Sequence, residues 1–144
     1  MLGPTVNATM NWVVRMTQGP KDGKAPNDSM SFVDVRDCAA MHVAGLEVAG
    51  AAGRYMCVAG TATNRVTDGG AVVYASTHWN DIYALVKELY PAMPDFAPCD
   101  SEPVVPTSFD LSKSNTLLHV DAMRSVKTIL KESISELKVK GAVA

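Results

Sequence analysis

The feature that most constrains the fold is an ordered change of pattern between residues 31 and 58. The apolar run Ser31–Val33 is typical of a short strand. Asp34 directly after it is a favoured helix N-cap, with Asp37 three residues further on completing a box-like start. An amphipathic stretch follows, and we expect one helical face of it to point inward: Val35, Cys38, Ala39, His42, Val43 and Leu46. Gly50–Gly53 ends this helix, and the mainly apolar Arg54–Val58 predicts a second strand.

Three further segments have the apolar spacing of amphipathic helices. The first begins near Val6 and stops at Gly19, and the second runs from Trp79 to Leu89 and stops at Pro91. The inward face of the second is predicted to hold Trp79, Ile82, Tyr83, Val86 and Leu89. Ser125 caps the last helix. Its inward face is predicted to hold Val126, Ile129, Leu130, Ile134 and Leu137.

Loops and short elements account for much of the remaining sequence. Gly19–Asp28 is rich in glycine, proline, lysine and aspartate and predicts a loop, and Pro91–Pro106 holds five prolines and predicts an extended surface segment. Phe109 and Leu111 predict a short strand. A short helix capped by Ser112 and running through Leu118 is expected after it.

Composition bounds the class of protein. A chain of 144 residues with 47% hydrophobic residues is long enough for one domain with a real core. The net charge is −2 and the charges are scattered, which argues against a nucleic-acid-binding or polybasic membrane surface. No apolar run approaches the ~20 residues that span a bilayer, and no secretory signal is evident.

Three cysteines, Cys38, Cys57 and Cys99, give an odd count without close spacing. That pattern predicts neither a disulfide framework nor a zinc site, and no metal is expected. Reduced thiols are typical of the cytosol, so the sequence predicts a cytoplasmic protein.

Two blocks in this order, Ser31–His42 and Gly53–Cys57, resemble the second half of the extended short-chain reductases. The branch is that of dihydroflavonol reductase and cinnamoyl-CoA reductase, within the NAD-dependent epimerase/dehydratase superfamily. The resemblance extends over most of the chain through four shorter matches: Pro4–Thr9, Leu85–Pro91, Ser112–Lys113 and Leu137–Gly141. Two departures are His119, where the family usually has glycine, and Thr61–Thr77, which is longer than the usual connection.

The longer connection has a pattern of its own. Asp68-Gly69-Gly70 stands between Thr61–Thr67 and Ala71–Ser76, and this arrangement favours a β-hairpin. A hairpin here is a candidate to pair with the strand predicted at residues 53–58.

The resemblance implies an α/β fold tending to α+β, the C-terminal part of an extended Rossmann-type reductase. Residues 1–144 would form a single substrate-side domain, incomplete relative to the family, whose dinucleotide fingerprint and catalytic Tyr-Lys pair lie upstream of the Ser31–His42 block. Family members reduce a carbonyl or an acyl-CoA thioester of a small-molecule substrate with NADPH. Thr9 matches a family serine that touches NADP, and the alternative is a helix-start threonine without a ligand. No residue of this chain is assigned a catalytic role.

One motif has the same spacing as the family's catalytic Tyr-Lys pair. Tyr83 and Lys87 spell Tyr-x-x-x-Lys, and on a helix these side chains share a face on which an ammonium lowers a phenol's pKa. The motif lies downstream of the substrate-side block and Tyr83 is on the apolar face, so a core tyrosine beside a solvated lysine is the favoured interpretation. Gly50–Gly53 is the candidate phosphate loop, but it closes a helix and opens a strand, which favours a plain turn.

The remaining candidates are histidines and one charge cluster. His42 is expected to be a hydrogen-bonded core residue and His78 a surface residue near a helix start, with no metal-ligand spacing between them. Asp34, Arg36 and Asp37 fit either a substrate or domain contact or, as favoured, a helix cap and an ion pair of Arg36 with Asp37 or a partner.

Two function hypotheses follow. The first is the substrate-side part of a reductase that is inactive by itself. The second is a non-catalytic module that pairs with a chain bearing the dinucleotide domain or binds a small apolar ligand. Residues 53–58 are expected to form an edge strand whose family neighbour is missing. The helix faces bearing Val35, Cys38, Val43 and Leu46, or Trp79, Ile82 and Val86, are expected to lose part of their cover. Self-association or a partner chain that completes the sheet would then follow.

Overall fold

The computed structural model of the chain describes residues 5–66, 70, 72–117 and 123–144. Within these ranges the helices are α1 (Ala8–Thr17), α2 (Val35–Glu47), α3 (Trp79–Leu89) and α4 (Val126–Val139), with a single 3-10 turn at Ser114–Thr116. The strands are β1 (Ser29–Met30), β2 (Thr61–Val66), β3 (Val72–Ala75), β4 (Thr77–His78) and β5 (Ser108–Asp110). The fold therefore mixes helices and short strands, as the sequence predicts.

The strands form two small sheets. β2 and β3 pair antiparallel and β5 adds to β3, also antiparallel, with Tyr74 opposite Phe109. β1 pairs with β4 in a second sheet of two strands. The predicted hairpin is confirmed by the β2–β3 pairing, while residues 67–69 of its turn lie outside the described residues. Gly60, just before β2, runs so close to β3 that a Cβ there would lie 3.0 Å from the Tyr74 Cβ.

Two strand predictions are wrong in detail. Arg54–Val58 forms no strand, and just after it the Ala59 amide donates to the Phe32 carbonyl at 2.7 Å in an isolated bridge. One reason is that a side chain already uses a backbone acceptor of this segment: the Ser114 hydroxyl donates to the Met56 carbonyl at 2.5 Å. The strand expected at Ser31–Val33 lies two residues earlier, as β1.

The chain divides into two compact units. The first unit comprises residues 5–29, 78–105 and 127–144, and within it α1 packs on α3. Its buried apolar side chains are Val13, Met16, Ala25, Ile82, Tyr83, Val86, Tyr90, Met93, Leu130, Ile134, Leu137 and Val143. The inward faces predicted for α3 and α4 are confirmed, because Ile82, Tyr83 and Val86 on α3 and Leu130, Ile134 and Leu137 on α4 belong to this core.

The second unit comprises residues 30–77 and 106–126. Its buried apolar side chains are Met41, Val58, Ala59, Val73, Leu111 and Val126. The inward face predicted for α2 is wrong, because Val35, Val43 and Leu46 are 72%, 51% and 88% exposed. The side of α2 that is buried carries Asp37 and Met41 instead. A buried carboxylate with an arginine partner replaces apolar packing there.

Several predicted ends of helices agree with the structure, and others do not. Gly19 after α1 has φ +79°, as a helix stop requires, and α3 ends just before Pro91. Ser112 does not cap a helix; its backbone N–H donates to the Asp110 carboxylate at 2.9 Å, as its hydroxyl also does. Leu118 and His119 lie outside the described residues. None of the described helices is long and apolar enough to cross a membrane.

Candidate functional site

The start of α2 is fixed by Asp34 and Arg36. Asp34 is extended, with φ −74° and ψ 138°, and its Oδ1 accepts from the Arg36 backbone N–H at 2.8 Å, which caps the helix. The Arg36 side chain also donates two hydrogen bonds to the same carboxylate, from Nε to Oδ1 at 2.8 Å and from Nη2 to Oδ2 at 2.7 Å. These hydrogen bonds from Arg36 lower the pKa of Asp34 to about 2. The predicted cap is confirmed.

Asp37 has a different arginine. Its carboxylate is buried and accepts from the Arg124 backbone N–H at 2.8 Å and from the Arg124 guanidinium. The ion pair found for Asp37 is with Arg124, and the one found for Arg36 is with Asp34. Each of the two buried carboxylates has its own guanidinium, so the cluster is balanced in charge and ties α2 to a residue 87 positions downstream.

Two sequence blocks that resemble the reductase family meet in the same unit. The Lys113 ammonium donates to the Ala52 carbonyl at 2.9 Å and lies 4.3 Å from the centre of the Tyr55 ring. Gly53 has φ +81°, and a Cβ there would lie 3.3 Å from the Lys113 Nζ. The Ser112–Ser114 segment thus holds the Gly53–Cys57 block in place through side chains.

Cys38 and Cys57 are neighbours, one in the Ser31–His42 block and one in the Gly53–Cys57 block. Both residues are half-buried, and both are free cysteines. Burial raises the pKa of Cys57, and the neighbouring Cys38 and Asp37 raise it further. Sequence reasoning missed this pair because the two residues are far apart in the chain. The only signal was that each stands in one of the two best-matched blocks.

His42 is next to this pair. The prediction of a core histidine is wrong because His42 is exposed. Its Nδ1 lies 2.8 Å from the Cys38 carbonyl oxygen, which can only accept, so Nδ1 carries the proton. The same nitrogen is 3.8 Å from the Cys38 Sγ.

Tyr83 and Lys87 do not form a catalytic pair. Tyr83 is buried between aromatic rings, with centroids 5.4 Å from Trp79 and 5.5 Å from Phe96, and burial raises its pKa. A raised pKa is the reverse of what a Tyr-Lys acid needs. Lys87 donates to the Met93 carbonyl at 2.5 Å and pairs with Asp95 at 2.8 Å. The core tyrosine is confirmed, while the lysine is engaged locally rather than simply solvated.

His78 is buried and not a surface residue as predicted, although it does stand at a helix start. Its Nδ1 accepts from the Asn80 N–H at 3.1 Å and caps α3, so its Nε2 is the nitrogen that donates to the Asn27 Oδ1 at 3.1 Å. Asn27 also accepts from the Val104 N–H at 2.8 Å and donates to the Ser101 hydroxyl at 2.6 Å. Sequence reasoning missed Asn27, a loop residue that organises the proline-rich segment.

Two further candidates from the sequence are Thr9 and Gly50–Gly53. Thr9 is exposed at the second position of α1, whose cap is Asn7, with Oδ1 accepting from the Met10 N–H at 2.8 Å. Gly50–Gly53 forms the predicted turn, and Gly50 has φ +82°. Across the described ranges, no three or more His, Cys, Asp or Glu side chains are grouped so that they could hold a metal ion.

Comparison with known proteins agrees with the family resemblance found in the sequence. A cinnamoyl-CoA reductase of rice is 33% identical over 102 residues, which is 71% of this chain. A tetraketide alpha-pyrone reductase of Arabidopsis thaliana and a cinnamoyl-CoA reductase of Medicago truncatula are each 26% identical, over 98% and 97% of this chain. The chain belongs to the reductases of the cinnamoyl-CoA and dihydroflavonol reductase type. No family model matches it.

The match covers only part of each relative. The aligned region is 25% of the rice reductase, 39% of the Arabidopsis reductase and 38% of the Medicago reductase. The chain therefore spans well under half the length of the curated relatives that it matches.

Proposed function

We propose that this chain is the substrate-side part of an NADPH-dependent reductase that reduces a carbonyl or an acyl-CoA thioester. The observation that carries the proposal is the alignment of nearly the whole chain, 98% and 97%, with two reductases. The Rossmann-type origin of the fold and its standing as one substrate-side domain are part of the same proposal. A dinucleotide-binding part would supply the hydride donor and the catalytic acid.

The chain by itself is proposed to be inactive. Tyr83, the only tyrosine in a Tyr-x-x-x-Lys pattern, is in the core, and Lys87 is bound to Met93 and Asp95. Gly50–Gly53 closes α2, whereas a pyrophosphate loop opens a helix. A reductase without a positioned acid, a cofactor cradle and a hydride donor loses nearly all of a typical ~8–23 kcal/mol of barrier lowering.

Thr9 is proposed to contribute one hydrogen bond to NADP once the dinucleotide-binding part is present. Its support is the match to the family serine and its exposure near the N-terminus of α1. One neutral hydrogen bond adds about 0.5–1.5 kcal/mol, which is too little to bind NADPH by itself.

The test is turnover and binding by the purified chain. NADPH absorbance followed with a panel of aldehydes, dihydroflavonols and acyl-CoA thioesters should show no consumption, and calorimetry should show no tight NADPH binding. Mixing with a separately expressed dinucleotide-binding half of a related reductase should restore consumption, and Thr9→Ala should raise KM for NADPH in that mixture. Turnover by the chain alone that Tyr83→Phe abolishes would refute the inactive state.

A second candidate function is an interaction module, and one observation favours it. The α2 face carries Val35, Val43 and Leu46 in solvent, and exposed apolar patches are typical of protein interaction sites. We propose that a partner chain or a second copy covers it; a small apolar ligand in a remnant substrate cleft is the other form of this candidate.

Light scattering and a hydrophobic dye test this candidate. The chain should self-associate or bind the dye, and Val43→Lys with Leu46→Lys should reduce both. Val105→Lys is the matched control, because Val105 is 85% exposed but lies in the other unit. A monomer that excludes the dye, or an equal response to the control, contradicts the module.

A further inference from the structure

The buried imidazole of His78 connects the start of α3 to the proline-rich segment of the first unit. Its Nδ1 lies 3.1 Å from the Asn80 backbone nitrogen and caps the helix, and its Nε2 lies 3.1 Å from the Asn27 Oδ1. The same Oδ1 accepts from the Val104 N–H at 2.8 Å. One side chain therefore joins a helix cap to a loop and, through that loop, to a distant segment.

This network is compatible with one protonation state of His78. The Asn80 N–H can only donate, so Nδ1 must accept and carries no proton. The orientation of the Asn27 amide is fixed in the same way, because its Nδ2 donates to the Glu102 carbonyl at 3.0 Å while its Oδ1 faces the Val104 N–H. Nε2 therefore carries the proton, and the closed network requires the neutral imidazole.

A second proton on His78 would break the cap. An imidazolium has two N–H donors and no acceptor, so its Nδ1–H would face the Asn80 N–H. The positive charge would also stand at the N-terminus of α3, where the helix dipole disfavours a cation. Because His78 is only 5% exposed, the charged ring would have little contact with water in its present place. The charged ring is therefore expected to turn out toward solvent, which ends its hydrogen bond to Asn27 as well.

Charged groups on the neighbouring elements act on His78 through solvent. The half-buried Cys99 thiol donates to the Ser101 carbonyl, so it carries no charge. Exposed carboxylates favour an imidazolium, but water screens them, whereas the two hydrogen bonds of the buried ring are not screened in this way. The exposed charges are Asp81 in the first turn of α3, Asp28 and Glu102 next to the Asn27 contacts, Asp100 with its partner Lys24, and Arg15 in the last turn of α1.

We propose that His78 is a pH-sensitive latch that is closed when the imidazole is neutral and opens when it is protonated. Histidine is the side chain whose charge ordinarily changes between about pH 5 and 8, so the latch opens under mildly acidic conditions. Opening uncaps α3 and separates its start from Asn27. The inference does not depend on the reductase function, since it concerns only the hydrogen bonds of this chain.

Nuclear magnetic resonance of the full chain, labelled with nitrogen-15, provides the test between about pH 8 and about pH 5. At the upper end of this range the ring nitrogens of His78 should show an unprotonated Nδ1 and a protonated Nε2. As the pH falls, hydrogen exchange of the Asn80 amide, divided by its intrinsic rate at the same pH, should rise about tenfold as the cap is lost. Protonation of Nδ1 at the upper end, or an unchanged exchange ratio, would overturn the inference.

Two variants separate His78 from the other titrating groups. His78→Asn keeps a side chain that caps a helix but does not titrate, so the exchange ratio of Asn80 should become independent of pH. His42→Asn is the matched control, because His42 is exposed and belongs to the other unit, and it should behave like the unaltered chain. A pH dependence that persists in His78→Asn would assign the effect to the carboxylates and refute the latch. Far-ultraviolet circular dichroism confirms that each variant is folded.

Discussion

α4 and α2 have the same kind of sequence, an apolar stripe at helical spacing, but opposite outcomes. On α4 the stripe is buried, with Leu130 and Leu137 fully inside the first unit. On α2 the stripe is in solvent, and the buried side carries Asp37 and Met41. The buried side of α2 is held by charge pairing, since Arg124 takes the Asp37 carboxylate.

The difference shows what an amphipathic pattern does and does not establish. Periodicity identifies a face that gains free energy when it leaves water. It does not identify the surface that covers that face, and on α2 a carboxylate with a distant arginine partner takes the inner position. The four predictions that follow test this contrast between the two units, from the largest expected effect to the smallest.

Truncation of an apolar side chain should lower the free energy of unfolding much more on α4 than on α2. Leu130→Ala on α4 removes a fully buried side chain and should lower the free energy of unfolding by about 2–5 kcal/mol. Leu46→Ala on α2 removes an exposed one and should change it by about 0.5 kcal/mol or less. Urea denaturation followed by circular dichroism measures both. Equal losses would mean that the α2 face is covered in the free chain.

Removal of a carboxylate should distinguish a buried ion pair from an exposed one. Asp37→Ala leaves the partly buried Arg124 without its partner and should cost about 1–3 kcal/mol of unfolding free energy. Glu88→Ala in the first unit breaks an exposed pair with Lys127 and should cost about 0–1 kcal/mol. The same denaturation experiment measures both free energies. A cost for Glu88→Ala as large as that for Asp37→Ala would refute a stabilising role for the buried Asp37–Arg124 pair.

Acid should weaken the start of α2 through Asp34. Its pKa falls from 3.8 in an unfolded chain to about 2 in the fold, so the folded state favours the ionised form. That contribution is complete above about pH 4 and is lost as the pH falls toward about 2. Asp34→Asn keeps a side chain that can cap but has no charge. The difference in unfolding free energy between the two proteins should therefore shrink over this range, and a constant difference would contradict the assignment.

The smallest expected effect compares two lysines over aromatic rings. Lys113 lies over Tyr55 at 4.3 Å and also bonds the Ala52 carbonyl, while Lys138 lies over Tyr90 at 4.9 Å. Lys113→Met should cost about 1 kcal/mol and Lys138→Met about 0.5 kcal/mol. Thermal unfolding of the two variants side by side measures the difference. The reverse order would show that Lys113 does not hold the Gly53–Cys57 block.

Predictions from the sequence were confirmed where a local structure is determined by residues close to it in the chain. Asp34 caps α2 with its own carboxylate, Gly19 supplies the positive φ after α1, and the hairpin pairs β2 with β3 on either side of its glycines. The apolar faces of α3 and α4 were also predictable. Their faces consist of large apolar residue types that are most often buried, although the same residue types on α2 are exposed.

The candidate site was less predictable. Asp37 stood in a recognised block, but its partner Arg124 was not identifiable as such, since nothing local links the two. His78 was placed at a helix start but assigned to the surface, because its partner Asn27 is 51 positions away. The segment at residues 54–58 had the composition of a strand, but a strand also needs a neighbour that accepts and donates its hydrogen bonds.

The sequence by itself determined the family and the four helices with most of their ends. These depend on motifs and on interactions within a few residues. Only the tertiary structure decided which face of α2 is buried, which arginine each aspartate binds and that Cys38 and Cys57 are neighbours. The physical reason is that each depends on side chains brought together from distant parts of the chain, and a one-dimensional pattern contains no measure of that proximity.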